Sequence, residues 1–441
     1  RTYLGYQYDL ALLDQFNFNY RKGGFDLGGM LFGSDYKFEN NKIITQKTYL
    51  DKVWTQNSDM KNPTHSQYLS AMLSLNYQFN ENHVMGVRYD FNRSPKTEMR
   101  AYMNSSIHVD NLLEEESKSK LHSNTTNNSH TVNAYYNGSF NDWKVDFNVD
   151  GMWIDNNNPT VSEENVKKPD NTEDNRIIHT LGNSSNELYA AKLIMDHPLW
   201  GGSFSIGSEY TYSNRIDRYA NDENIIPDNE NRIRENAVSA FAMYARSFGQ
   251  LQAQAGVRYE HLGSDYYEFG KRMDEQSRTY DNVFPSISIS YPIGKVQMML
   301  SYSGNIERPS YNNLSSSIIY ANKYTYESGN PFLRSSILNT LSFNTSWKWL
   351  YFSMNYSHIK DMQTQISQSY SDEDPSISLF THTNVPKMDK LNATLSASPT
   401  IGIWSPQFTA MYSQQWLVMD TPDGPKNLNN PIGYFQWNNT F

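Results

Sequence analysis

The 441 residues include no cysteine and no run of 18 consecutive apolar side chains. The first absence excludes disulfides and thiolate metal sites. The second excludes transmembrane helices. Hydrophobic residues reach only 38% and mean hydropathy is -0.72, values that make a hydropathy profile read as water-soluble. That profile is blind to strands that need an apolar residue only at every second position. Basic residues are also scarce: 37 Lys and Arg against 47 Asp and Glu give a net charge of -10. A nucleic-acid partner requires a clustered basic surface, so none is expected. Neither an initiator Met nor a charged and apolar leader precedes Arg1, so any signal peptide has been removed or left out. Catalytic signatures are missing too. The ten histidines form no H-E-x-x-H arrangement, and no G-x-S-x-G elbow, P-loop or dinucleotide fingerprint occurs.

What is present is alternation. Val283, Pro285, Ile287, Ile289, Tyr291 and Ile293 are apolar, with Ser286, Ser288 and Ser290 between them and a turn at Gly294-Lys295. A strand sends successive side chains to opposite faces, so this segment has one greasy face and one wet face. Ile287, Ile289 and Tyr291 are expected to meet lipid, and the three serines to face inward. The same period marks Leu73 to Phe79, Met85 to Phe91, Trp143 to Trp153 and Leu251 to Tyr259. Lys144, Asp146 and Asp150 share one strand face and cannot touch lipid cheaply, so that face belongs to a wet or protein-filled lumen. Aromatics at 14%, with 32 tyrosines, suit the girdles that flank an apolar membrane band.

Eight short turns separate alternating flanks: Lys22-Gly23-Gly24, Asn80 to Asn82, Asn141-Asp142, Trp200-Gly201-Gly202, Gly249-Gln250, Gly294-Lys295, Trp349-Leu350 and Gly402 to Trp404. Gly and Asn supply positive φ cheaply, as tight hairpins require. Eight hairpins imply sixteen strands, and the end segments add one apiece. Successive turns lie roughly 45 to 60 residues apart, more than twice what two membrane crossings need. The surplus is assigned to longer strands and to polar loops at Tyr102 to Ser129, Asp155 to Ser185, Asn221 to Glu235, Gly270 to Arg278, Asn312 to Tyr324 and Ser371 to Ser376. Soluble sandwiches, propellers and solenoids also alternate. No motif repeats at a fixed period, however, and a sandwich does not need eighteen strands with short links on one side and long ones on the other. The reading is therefore a single all-β domain over residues 1-441, a transmembrane antiparallel β-barrel of about 18 strands.

Candidate chemistry is thin. His261, beside Glu260, is the best enzyme candidate, and a histidine on the lumen or rim explains it more simply. Asp222-Glu223, Asp228-Asn229-Glu230 and Asp372-Glu373-Asp374 offer hard oxygen ligands, but none has the spacing of a dedicated calcium loop. Gly182-Asn183-Ser184-Ser185 reads as a loop tip. No enzyme activity, metal or cofactor is expected.

One region is more specific. Arg308-Pro309-Ser310-Tyr311-Asn312-Asn313-Leu314 is followed, fifteen residues on, by Gly329-Asn330-Pro331-Phe332-Leu333. This resembles the R-P-x-Y/F…L…G-N-P-x-L stretch late in the barrel of TonB-dependent receptors. Pro309 and Pro331 cannot donate to a ladder, so they belong where strands give way to loops. Arg308, Pro309, Tyr311, Gly329, Asn330 and Pro331 are thus family-motif positions that mark fold. Gly86-Val87-Arg88-Tyr89-Asp90, Pro198 to Gly202, Ala255 to Glu260, Asp281 to Ser286 and Gly402 to Gln407 extend the likeness. It is to the TonB-dependent-receptor-like outer membrane β-barrel proteins common in Bacteroidetes.

The resemblance implies a 22-stranded barrel with an N-terminal plug. Eighteen strands would then be that barrel less about four. Phe441 matches the aromatic on which such barrels often end, but Asn439 interrupts the apolar face expected of a last strand, so truncation is favoured and Trp437 and Phe435 would be ordinary girdle residues. It further implies a bacterial outer-membrane location, long loops outside and short turns in the periplasm, and outer-membrane lipids and a TonB-type energising complex as partners. The function expected is ligand capture and import. A non-transporting barrel that partners surface lipoproteins or other membrane proteins is the alternative, and an open porin the third. Tyr311, Tyr320, Tyr324 and Tyr326 could stack on a ligand, but packing within a loop accounts for them better.

Overall fold

A computed structural model describes residues 2–6, 9–49, 52–371, 376–421 and 424–440. Eighteen strands form one continuous antiparallel wall. It runs from Thr2–Tyr6 and Leu10–Lys22 through Phe25–Tyr49, Val53–Asn80, His83–Val109, Leu112–Phe140, Trp143–Lys167 and Glu173–Leu199. Gly202–Asn221, Asn229–Phe248, Leu251–Glu268, Arg278–Ile293, Val296–Glu307 and Ser336–Trp347 follow. Leu350–Ser369, Ser378–Ala397, Ser405–Trp416 and Ile432–Thr440 complete it. Among the described residues the two edge strands do not pair with each other.

All eight expected turns are present, one of them displaced by a residue: the hairpin turns at Lys348-Trp349, with Lys348 carrying the positive φ of 52°. The alternation is realised as sidedness. Val283, Ile287, Ile289, Tyr291 and Ile293 are exposed on the outside, while Ser286, Ser288 and Ser290 are half-buried on the other face. Leu73, Leu75, Tyr77, Val87, Phe147 and Val257 extend the apolar outer surface. Such a surface is stable only against lipid.

Two of the polar excursions depart from the expectation of loops, whereas Asn221 to Glu235 and Gly270 to Arg278 do leave the strands, at 222–228 and 273–277. Tyr102 to Ser129 and Asp155 to Ser185 are almost wholly strand, turning only at Asp110-Asn111 and at Lys168 to Thr172. The six strands from Phe25 to Leu199 are 25 to 29 residues long. At about 3.3 Å per residue they run some 80–95 Å, whereas about 9–11 residues cross a membrane. The excess forms a tall crown on the side away from the short turns. From Gly202 to Trp416 the wall strands have only 12 to 20 residues, so the crown is lopsided. At its top Thr48 Oγ1 lies 3.0 Å from Ser378 Oγ, drawing together strands from opposite ends of the wall. Of the expected loops, Ser371 to Ser376 lies largely outside the described residues.

Candidate functional site

Between strands Val296–Glu307 and Ser336–Trp347 the chain leaves the wall. It forms a short helix, Tyr311–Leu314, and a hairpin of Ile318–Asn322 with Thr325–Ser328. This segment, Arg308 to Ser335, was expected as a free loop over Asn312 to Tyr324. Instead it straps across the inside of the crown. The buried apolar cluster of Ile178, Ile226, Tyr320 and Tyr326 joins strap to wall.

The two halves of the sequence motif form the neck of the strap. Asn330 donates its backbone N–H to Asn313 O at 2.6 Å, and its side chain donates to His382 O at 2.9 Å. Gly329 packs so closely that a Cβ there would fall 2.5 Å from the carbonyl oxygens of Asn312 and Ser315 and 2.6 Å from that of Asn313. Only glycine permits that approach. Ser310 caps the helix by accepting from Asn313 N. Pro309 and Pro331 lie just outside the strands that flank the strap, where no ladder donor is needed.

Four glutamates of the wall hold the strap. Arg308 and Arg258 converge on opposite carboxylate oxygens of Glu260, which is 3% exposed. The Tyr311 hydroxyl donates to Glu235 at 2.9 Å and lies 2.6 Å from Ser213 Oγ. Tyr320 donates to Glu164, and Lys323 and Tyr324 both donate to Glu115. Burial pushes the Glu164 carboxyl above its ordinary range, though the Tyr320 hydroxyl and Arg176 pull the other way. Burial, reinforced by Glu164, likewise raises the Tyr320 hydroxyl. Trp54 packs on Tyr324 with ring centroids 6.1 Å apart. Tyr311, Tyr320, Tyr324 and, in the buried cluster, Tyr326 are therefore engaged in packing the strap.

A chamber of about 580 Å³ lies between the strap and the wall. Asn127, Asn156, Asn158, Ser184, Asn312 and Gln365 are among its lining groups. Arg215 pairs with Asp217 and Arg218 with Glu230, and the Glu327 carboxylate also lines the chamber. Gly182, Asn183 and Ser184 line this chamber from within strand Glu173–Leu199, so they are not a loop tip.

His261 sits on the outer face, its Nδ1 2.9 Å from Asp281, which also accepts from the Tyr259 hydroxyl. The arrangement recurs at Tyr356, His358 and Asp389. Repetition around the outer wall marks a girdle of polar-tipped aromatics at a membrane interface. Glu223 is engaged by His179, Asp228 by Asn221 and Glu230 by Arg218. Among the described residues no group of three or more acidic or histidine side chains could hold a metal ion. Asp372 to Asp374 lie outside those residues.

The anchors Glu115, Glu164 and Glu235 were not singled out from sequence. Glu115 stands among Ser117, Ser119 and Ser123 on a buried face, and that lone acid among small side chains is the signal available.

A tall wall of membrane-crossing hairpins with an apolar exterior and a polar, strapped interior defines an outer-membrane β-barrel. The sequence signature of the outer membrane protein beta-barrel family matches residues 141–441, and the chain belongs to that family. No curated protein matches it. Among solved structures, it is similar to the hemophore receptor HasR of Serratia marcescens in complex with its hemophore HasA and heme. That match has TM-score 0.53 and 11% identity, over 92% of this chain and 63% of the receptor. The copper transporter OprC gives 0.52 at 9% identity, over 92% and 60%. The outer membrane transporter YddB of Escherichia coli gives 0.50 at 9%, over 89% and 55%. At such identities the likeness is one of fold, and it bears out the expected large antiparallel outer-membrane β-barrel. The chain spans 55% to 63% of the length of these proteins.

Proposed function

We propose that this chain is the barrel of a TonB-dependent-receptor-type importer in the bacterial outer membrane. The crown faces outward and receives the ligand, and the short turns face the periplasm. A plug driven by a TonB-type complex governs passage through the lumen. The observation that carries this reading is the wall itself, wide, charged within and built to the plan of receptor and transporter barrels. Binding and movement, with no reaction on the ligand, account for its polar chamber.

The strap gives weight to a second reading, a barrel that no longer transports and instead supports a surface lipoprotein or another membrane protein. An assay on the full-length protein separates the two. An importer should bind the periplasmic domain of TonB in a pull-down and show no steady conductance in planar bilayers. Absence of TonB binding would favour the structural role, and steady small-solute conductance an open porin.

A further inference from the structure

We infer that the outer face of the crown around Tyr102 is a binding surface for an acidic oligosaccharide, the phosphorylated or carboxylated head of a glycolipid in the membrane's outer leaflet. It lies on the side of the wall away from the lumen, so it goes beyond import and does not depend on it.

A fault in the strand pairing creates this face. Low in strand His83–Val109, Arg88 and Asp90 share the lumen side, opposite the exposed Val87 and Tyr89. One extra residue between Ser94 and Thr97 shifts the register against the next strand and reverses the faces. Above it Lys96, Glu98, Arg100 and Tyr102 point outward. On the two neighbouring strands the exposed Lys61, Lys118, Lys120 and His122 do the same. The opposite face holds buried Glu115, Ser117 and Ser119, with Glu115 gripping the strap.

Tyr102 stands at the centre. In its own row it lies between Lys61 and Lys120, each one strand away, so the two lysine stems start about 10 Å apart. Arg100 faces His122 one row below, and Lys118 faces Asn104 one row above. The tyrosine is 46% exposed, and neither its ring nor its hydroxyl has a partner among the described residues. Carboxylates are scarce. Glu98 is already shared by Lys96, Arg100 and His122, Asp59 is the other acid in this field, and Glu163 and Glu116 border it. Lys61, Lys96, Arg100, Lys118 and Lys120 against Asp59 and Glu98 leave three positive charges in excess, in a chain whose net charge is -10. Such a concentration repels itself and is relieved by an anion. An exposed ring covers the C–H face of a sugar, while flanking ammonium groups reach its phosphates or carboxylates.

Height and size select the partner. Tyr102 stands 19 residues beyond His83. About 9–11 residues complete a crossing at a tilt near 45°, so the rest lift it about 20 Å above the apolar band. Phospholipid headgroups add only about 5–8 Å on each side and end below it. The sugars of a glycolipid head extend that far. The cationic field measures about 10 by 25 Å, well under the ~800 Å² that each partner buries in a stable protein pair, and it fits a few sugar rings.

The test uses the full-length protein in detergent. Its probes are the acidic oligosaccharide released from purified lipooligosaccharide, and the same oligosaccharide with phosphates cleaved and carboxylates reduced. Dihexanoyl phosphatidylglycerol serves as competitor. The acidic form should bind, and more weakly as NaCl is added. Lys61→Gln with Lys120→Gln should weaken binding about tenfold or more, and Tyr102→Ala about tenfold. Tyr102→Phe, which keeps the ring, should bind as wild type, as should Lys271→Gln at a remote exposed lysine. Heat-modifiable migration verifies that each variant has folded. Absence of binding, equal binding of the neutralised oligosaccharide, displacement by phosphatidylglycerol, equal loss in Lys271→Gln, or indifference to Tyr102→Ala overturns the assignment.

Discussion

The ammonium of Lys323 lies 2.9 and 2.8 Å from the two carboxylate oxygens of Glu115, a residue 208 positions earlier in the chain and only 2% exposed. Removing the cation alone strands a buried charge. Breaking a buried pair from one side costs about 3–5 kcal/mol, and the partial exposure of Lys323 places Lys323→Ala near the lower end. The loss should appear as faster proteolysis and exchange confined to the strap. Glu115→Gln combined with Lys323→Met should recover most of it, because no unpaired charge remains.

Glu164 supplies a pH dependence of definite sign. Its folded carboxyl is raised above 4.5 by burial, so the folded protein binds this proton more tightly than the unfolded chain does. Its contribution is complete below pH 4.5 and is lost as pH climbs through the raised value. Strap protection, corrected for intrinsic exchange rates, should fall across that window. In Glu164→Gln this component should vanish, leaving protection at neutral pH at or above wild type. A less protected variant at neutral pH would contradict the assignment.

Gly329→Ala should disturb the neck without touching the membrane band. Its Cβ would press on three backbone carbonyls that cannot swing aside, an overpacking of about 1–3 kcal/mol. Urea titration of the folded barrel, read alongside exchange at Tyr311 to Leu314, should locate the loss there.

Sidedness can be checked at adjacent positions. Ile289→Arg places a charge on the lipid face near the middle of its crossing and should cost about 2–4 kcal/mol in refolding into lipid vesicles. Ser288→Arg points the same group into the lumen and should cost much less. Equal costs would contradict the assignment of faces.

The membrane wall was legible because its rules are local. Period-2 alternation fixed which of Ile287 and Ser288 faces lipid, and Gly- or Asn-rich links marked the turns. Only the turn at Lys348-Trp349 was misplaced, where a lysine takes the positive φ. The crown was misread because its strands are polar on both faces. One face meets water and the other meets the strap, so Tyr102 to Ser129 shows no apolar stripe and resembles a loop. The motif around Arg308 and Gly329 was visible as residues, but not as the neck of a strap.

Sequence alone thus determined the membrane-crossing parts of the strands, their faces and the short turns, since each follows from neighbouring residues and backbone geometry. Tertiary structure alone decided that Glu115, Glu164, Glu235 and Glu260 are anchors. A carboxylate is the same in sequence whether it faces water or a lysine 208 residues away, and only folding fixes what surrounds it.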